Sequence, residues 1–262
     1  MRKVLLLLFL VAMVTSCIPK KELVYFQGDA SENQKLQKLQ NQPYKLQVND
    51  ILDIQLKSAD EKLVALFSNK ATSGNSNVQV SPGQLYFTGY SVDRHGSIRL
   101  PYIGDINVLG YTTTEVRKKI EKEFAVYFKD PRDVFIDVKL AGIRFTVLGE
   151  VGSTGNQVLF QNQVNLVEAI ASVGDITVTG NRKNVTIFRK NIDGTKKFTV
   201  NMLDVETFNS DNFFIQSNDI IYVEPLKQKS WGTGVTGLQS LTTIISVLSL
   251  ITTTILLTQA FK

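Results

Sequence analysis

Between Tyr44 and Pro225 the chain alternates strand-like and helix-like patterns of apolar positions; beyond that it changes character. Residues 51–56 (I-L-D-I-Q-L) alternate in part and predict a strand. Residues 59–67 predict a short helix, and 71–83, rich in Ser, Asn and Gly, a loop. Residues 85–92 read as a strand. Asp93-Arg94-His95-Gly96 predicts a turn, followed by strands over 97–100 and 106–109. Thr112, Thr113 or Thr114 can cap a helix reaching about Tyr127, with Val116, Ile120, Phe124 and Tyr127 on its buried side. Pro131 breaks that pattern, and 134–140 alternates as a strand.

A second set of elements begins with a strand over 145–151 that enters a Gly-containing loop. Residues 166–173 predict a helix, with Asn165 at its cap and Gly174 at its end. Strands over 185–189 and 196–200 pair across Asp193-Gly194, a strong hairpin signal. Residues 215–223 close the unit, with Ser217-Asn218-Asp219 as a turn before the last strand.

The tail follows a third pattern. No charged side chain stands between Lys229 and Lys262. A helix over 234–258 would be roughly 37 Å long at ~1.5 Å per residue, enough to cross a hydrocarbon core of ~30 Å with tilt. Trp231 and Phe261 stand at its two ends, where interfacial anchors belong. At helical spacing Gln239, Thr242, Ser246, Ser249 and Thr253 share one stripe, opposite Ile244, Ile245, Leu248, Ile251 and Ile255. Leu250 and Leu257 intrude on the polar side. Three readings stay open. The stripe lines water in a ring of copies; its hydroxyls bond back to their own helix in a lone span; or they serve helix–helix contact without a pore.

The N-terminus reads as a secretory signal over 1–16: Arg2 and Lys3, then an apolar run over 4–14 too short to span. It ends in Val14-Thr15-Ser16-Cys17, which resembles a bacterial lipobox, so Cys17 is the expected lipid attachment site. Two or more acyl chains would hold such a protein firmly to membrane lipid. Ile18 follows, without an Asp to favour inner-membrane retention. Residues 29–42 are polar and read as a tether with little fixed structure.

Composition narrows the function classes. The chain has 262 residues and a formal charge of +5; loss of Arg2 and Lys3 from 29 basic groups leaves 27 against 24 acidic, or +3. With no basic block, nucleic acid is not an expected partner. Cys17 is the only cysteine and His95 the only histidine. An intramolecular disulfide, a Cys-based zinc site and a His-rich metal site are excluded, and no metal or cofactor is expected. Asp50, Asp53 and Asp219 fall where turns and strand edges need polar groups, so structural roles are expected of them and no catalytic set is assigned.

Some runs carry a resemblance. Residues 44–54 (Y-K-L-Q-V-N-D-I-L-D-I) resemble the opening of the bacterial polysaccharide export domain, with Asn49-Asp50 where that family has Gly-Asp. Residues 96–106 (G-S-I-R-L-P-Y-I-G-D-I) resemble its second signature. Val147-Leu148-Gly149-Glu150-Val151, the helix from Leu166 and Asn218-Asp219-Ile220-Ile221-Tyr222-Val223 are similar to the soluble-ligand-binding β-grasp (SLBB) unit that follows it. Thr154 stands where that unit usually has Pro.

The order matches the Wza-type outer-membrane exporters. It implies an α+β protein: a signal over 1–16, a lipidated tether over 17–43, an export domain over 44–140, an SLBB domain over 143–225 and a transmembrane amphipathic helix over 234–258. It also implies a homo-oligomeric ring with a helical barrel, a capsular polysaccharide or exopolysaccharide as cargo, an inner-membrane polysaccharide co-polymerase as partner, and no enzymatic activity. The expected location is the outer membrane of a Gram-negative bacterium, with the domains in the periplasm. The rivals are a periplasmic glycan-binding lipoprotein with a simple anchor and an inner-membrane scaffold.

Overall fold

The computed structural model describes residues 18–28, 43–58, 83–127, 134–191, 194–230 and 237–260. The signal over 1–16, the polar stretch 29–42, the helix expected over 59–67 and most of the loop over 71–83 lie outside them. What is described is an α+β protein of two mixed units built on separate sheets and sharing one continuous buried core.

In the first unit β1 (Ile51–Ser58) runs the length of a three-stranded antiparallel sheet. A strand was expected over 85–92, but α1 (Gln84–Thr88) is a single helical turn and only β2 (Tyr90–Ser91) pairs with β1. Tyr86 and Phe87 are both exposed, so no second layer selects an alternating face there. The chain reaches β1 only at Gly89, where a Cβ would lie 2.5 Å from Ile51 Cγ2. β3 (Ser97–Leu100) and β4 (Gly104–Asn107) form a hairpin. β4 lies a little earlier than expected, because the Val108 and Leu109 amides both turn back to Gly96 O.

The α2 helix (Thr113–Phe124) starts at Thr112 in a reciprocal cap: the Glu115 amide donates to Thr112 Oγ1 and the Thr112 amide to Glu115 Oε2. Val116, Ile120 and Phe124 are buried as the period requires. Tyr127 is not. The helix has ended before it, and Tyr127 lies half exposed with its hydroxyl on Tyr102 O. β5 (Val134–Leu140) pairs with β1 from Leu52 opposite Leu140 to Ser58 opposite Val134, and α2 packs on it.

The second unit is a five-stranded sheet. β6 (Ile143–Gly149) lies beside β7 (Gly155–Leu159), β9 (Gly180–Asn191) beside β10 (Gly194–Val200), and β12 (Asp219–Pro225) joins them. The order is β10-β9-β12-β6-β7, with β12 and β6 parallel and the other pairs antiparallel. β8 (Val164–Asn165) pairs with β11 (Phe214–Ile215). α3 (Leu166–Ser172) is capped by Asn165 and Glu168 in the same reciprocal way as α2, and buries Leu166, Ala169 and Ile170. The predicted hairpin pairs Val185 with Val200 and Arg189 with Lys196; Asp193 of its turn is outside the described residues.

Two segments leave this body. Residues 18–28 lie along the second unit: the Phe26 amide donates to Met202 O, the Val205 amide to Gln27 O, and Phe26 stacks 4.7 Å from Phe208. This part of the expected tether is a docked strap. At the other end come α4 (Lys227–Ser230) and α5 (Gly237–Ala260). A helix forms where one was expected, but the membrane span expected over 234–258 is not supported. Among the described residues no helix is long and apolar enough to cross a membrane. Hydroxyl side chains interrupt the aliphatic ones too often.

The Val-Leu-Gly-Glu-Val turn has a steric requirement. Gly149 has φ +93, and a Cβ on it would lie 2.0 Å from Val223 O on the parallel strand. Gly149→Ala should therefore cost about 3 kcal/mol or more, read as a lower urea midpoint with unchanged slope.

Candidate functional site

Two turns of like sequence meet where the units join. One is Gln47-Val48-Asn49-Asp50-Ile51, which starts β1; the other is Gln216-Ser217-Asn218-Asp219-Ile220, which starts β12. Asn49 has φ +71 and Asn218 φ +67, the left-handed conformation that Asn adopts more readily than most residues. In each turn the aspartate side chain accepts from the glutamine amide, at 2.8 Å for Asp50 and 2.9 Å for Asp219. The glutamine side chains then touch: Gln47 Nε2 donates to Gln216 Oε1 at 2.7 Å. Tyr44 OH donates to Asp50 Oδ2 at 2.9 Å, and Ser217 Oγ stands 3.2 Å from the same hydroxyl.

Asp219 is fully buried and Arg189 nearly so. Arg189 grips the carboxylate with Nε at 3.0 Å and Nη2 at 2.7 Å, and spends a further Nη2 bond on Phe214 O at 3.0 Å. Burial still holds the Asp219 carboxyl above its ordinary value, and Arg189 opposes this only in part. Among the described residues Asp50 has no cation in such contact. Burial pushes its carboxyl above the ordinary value, and the hydrogen bonds from its neighbours only partly oppose this. Burial and the adjacent Asp50 push the Tyr44 hydroxyl well up as well, so it stays a donor. Asp50 and Asp219 thus have the structural roles expected of them, on buried sites that the sequence did not reveal.

The root of the tail is tied to the second unit. Lys229 Nζ lies 2.6 Å from Glu150 Oε1, while Glu150 Oε2 accepts from Thr177 and Thr179. Lys229 beside it holds the Glu150 carboxyl below the usual range. The Leu226 amide donates to Thr179 O at 2.7 Å.

Of the tail positions singled out in the sequence, Thr242, Ser246, Ser249 and Thr253 lie exposed on α5, three and four residues apart. Gln239 is on the same helix. Trp231, Phe261 and Cys17 are outside the described residues. The hydroxyls bond back: Ser246 Oγ to Thr242 O at 2.8 Å, Thr253 Oγ1 to Ser249 O at 2.7 Å, and Thr254 Oγ1 to Leu250 O at 2.8 Å. Ile245, Leu248 and Ile251 are exposed on the opposite side, and Leu250 is 69% exposed beside the stripe. Among the described side chains of α5 none belongs to the buried core. His95 is exposed in its turn, where its amide donates to Asp93 Oδ1. Among the described residues no three His, Cys, Asp or Glu side chains gather to hold a metal ion.

Two outcomes follow for the junction. A carboxyl raised by burial holds its proton more tightly folded than unfolded. The stability Asp50 adds is whole below the unfolded value of about 3.9 and is lost as pH rises through the raised folded one. Asp50→Asn should flatten that part of the urea-midpoint profile across mildly acidic pH. Arg189→Met leaves a buried carboxylate alone and should cost about 3–5 kcal/mol in the same denaturation at neutral pH.

Residues 38–139 match the family described as polysaccharide biosynthesis/export protein, and 143–223 match the SLBB domain. Over 187 residues the chain is 31% identical to the EPS I polysaccharide export outer membrane protein EpsA of Ralstonia nicotianae, an overlap of 70% of this chain and 47% of that protein. The EpsA of Ralstonia solanacearum is 30% identical over 188 residues, 70% of this chain and 48% of its own length. The capsule polysaccharide export protein BexD of Haemophilus influenzae is 26% identical over 198 residues, 72% and 46%. The chain spans about half the length of the curated relatives it matches. With both domains matched in order, as the turns at Asn49 and Asn218 foreshadow, the chain belongs to the Wza-type polysaccharide export family.

Proposed function

We propose that this chain is an outer-membrane lipoprotein that assembles as a ring and passes capsular polysaccharide or exopolysaccharide to the cell surface. It acts as a conduit and not as an enzyme. The family is one of export proteins; the two EpsA relatives are named for export at the outer membrane and BexD for capsule polysaccharide export. Cys17 carries the acyl chains, the two folded units stand in the periplasm, and an inner-membrane co-polymerase delivers the polymer.

The observation that carries the reading is α5, an uncharged helix of 24 residues whose described side chains add nothing to the core and whose aliphatic ones are exposed to solvent. A lone helix so rich in hydroxyls is a poor span. Side by side in a ring, the aliphatic backs would meet lipid and the stripe of Gln239, Thr242, Ser246, Ser249 and Thr253 would face water. The hydroxyl protons of Ser246 and Thr253 are already bound to the helix's own carbonyls. The wall would therefore offer a sliding glycan mostly acceptor lone pairs, which hold it weakly. Trp231 and Phe261 would sit at the two interfaces.

Deletion of residues 234–262 tests this. The expected outcome is loss of surface polysaccharide, while the truncated lipoprotein remains folded and membrane-associated in fractionated cells. Normal surface polysaccharide from that truncation would exclude the conduit and leave the glycan-binding lipoprotein with a simple anchor.

A further inference from the structure

The β3–β4 hairpin ends in an unusual turn. Leu100 and Gly104 are paired in register, so Pro101, Tyr102 and Ile103 form the whole loop. The Ile103 amide donates to Pro101 O at 2.8 Å, which closes a γ-turn around Tyr102. Tyr102 has φ +64, a conformation open to Gly but strained for a large side chain. Tyr127 OH braces it with a 3.2 Å bond to Tyr102 O. Core burial does not account for the tyrosine, which is 64% exposed. Strain held at an exposed aromatic residue points to a use for that ring.

A cleft of about 570 Å³ opens beside it, lined by Tyr90, Arg99, Pro101, Tyr102 and Gly104 among others. Arg99 is exposed and makes no ion pair among the described residues. Asp105 is its cross-strand partner, hence on the same face of the ribbon. An aromatic face and a fork of donors therefore border one open space, and the exposed Asp105 stands next to its lining on the strand.

We propose that this cleft binds one sugar ring of a glycan. The C–H face of a pyranose lies on the Tyr102 ring, whose negative face attracts polarised C–H groups. Arg99 donates to the sugar's hydroxyl or carboxylate oxygens, and Asp105 accepts from its hydroxyls. The inference rests on the export reading and places a polymer contact in the export domain, away from the tail. A single stacking residue grips weakly, which suits a chain that must keep moving.

The test uses the full chain in detergent micelles, with maltohexaose as a neutral probe and hexagalacturonate as an acidic one. Binding is read by saturation-transfer NMR and calorimetry. At least one probe should bind the native chain. Tyr102→Gly relaxes the turn, so the urea midpoint should hold or rise while affinity falls about tenfold. Tyr102→Phe should keep most of the binding, and Arg99→Gln should weaken it. Binding of neither probe by the native chain, or binding indifferent to Tyr102→Gly, overturns the proposal. So does a Tyr102→Gly chain whose particle size changes in light scattering while sugar binding does not, because the loop is then a contact between copies. The tail truncation leaves this cleft untouched. Tail-dependent export with no sugar binding would sink this inference alone.

Discussion

A carboxylate sealed from water cannot stay ionised without a partner, and the second unit is arranged around that constraint. Asp219 opens the central strand of the five-stranded sheet and is fully buried there. Its partner Arg189 comes from the adjacent β9, and the same guanidinium reaches Phe214 O on β11. One ion pair thus joins the closing strand, the long hairpin and the small β8–β11 ribbon. Removing one partner of such a pair typically costs about 3–5 kcal/mol, whereas a neutral hydrogen bond contributes about 1 kcal/mol net. The ion pair therefore sets the geometry of the turn, and the Gln47–Gln216 and Tyr44–Asp50 bonds build on it. With Gln216 and Ser217 fixed, the entry to β1 has one place to dock.

Both routes from the folded body toward a membrane leave from the second unit. The strap is held there by main-chain bonds at Phe26 and Gln27 and by the stacked rings of Phe26, Phe208 and Phe213. Arg182 lies over the Tyr25 ring, and the Tyr25 hydroxyl meets Asp175. From Cys17 to Tyr25 the chain reaches at most about 28 Å when fully extended. A lipid on Cys17 would keep this unit close to the leaflet. The tail leaves from the same unit, where Glu150 and Lys229 tie its root. On the proposed reading the SLBB unit is then the membrane-proximal one, and the export domain with its Tyr102 loop points into the periplasm.

Much of this was legible locally. Asn49 and Asn218 stand where the family's glycines do, and both adopt the left-handed turn that makes the exchange mild. Thr112 and Asn165 are readable as caps because each has a glutamate three residues on. The β9–β10 register followed from its turn and alternation. Most of the failures depend on a distant segment. Nothing in Glu22 to Gln27 announces a strap, since its partners are Met202, Leu203 and Phe208. Tyr127 fits the helical period but falls beyond the last turn. Residues 85–92 look like a strand, yet no sheet face covers Tyr86 and Phe87. The one overlooked local signal was the repeat Gln-x-Asn-Asp-Ile, which marks two equivalent turns and so the place where they could meet.

The tail shows how far a stripe of hydroxyls argues. An unpaired buried hydroxyl would cost ~1–3 kcal/mol and would drive helices together. On α5 that drive is weakened, because Ser246, Thr252, Thr253 and Thr254 donate to carbonyls one turn back. What remains unsatisfied is aliphatic surface: Ile245, Leu248 and Ile251 face solvent in the single chain, and so does Leu256 at the end of the stripe. At ~25 cal/mol per Å² the burial of those side chains outweighs any hydroxyl contact. On the proposed reading, association of this helix with lipid or with its copies would thus be driven by its aliphatic surface. The hydroxyls decide only which side of the helix tolerates water, and that division of labour is what a wet-lumened barrel requires.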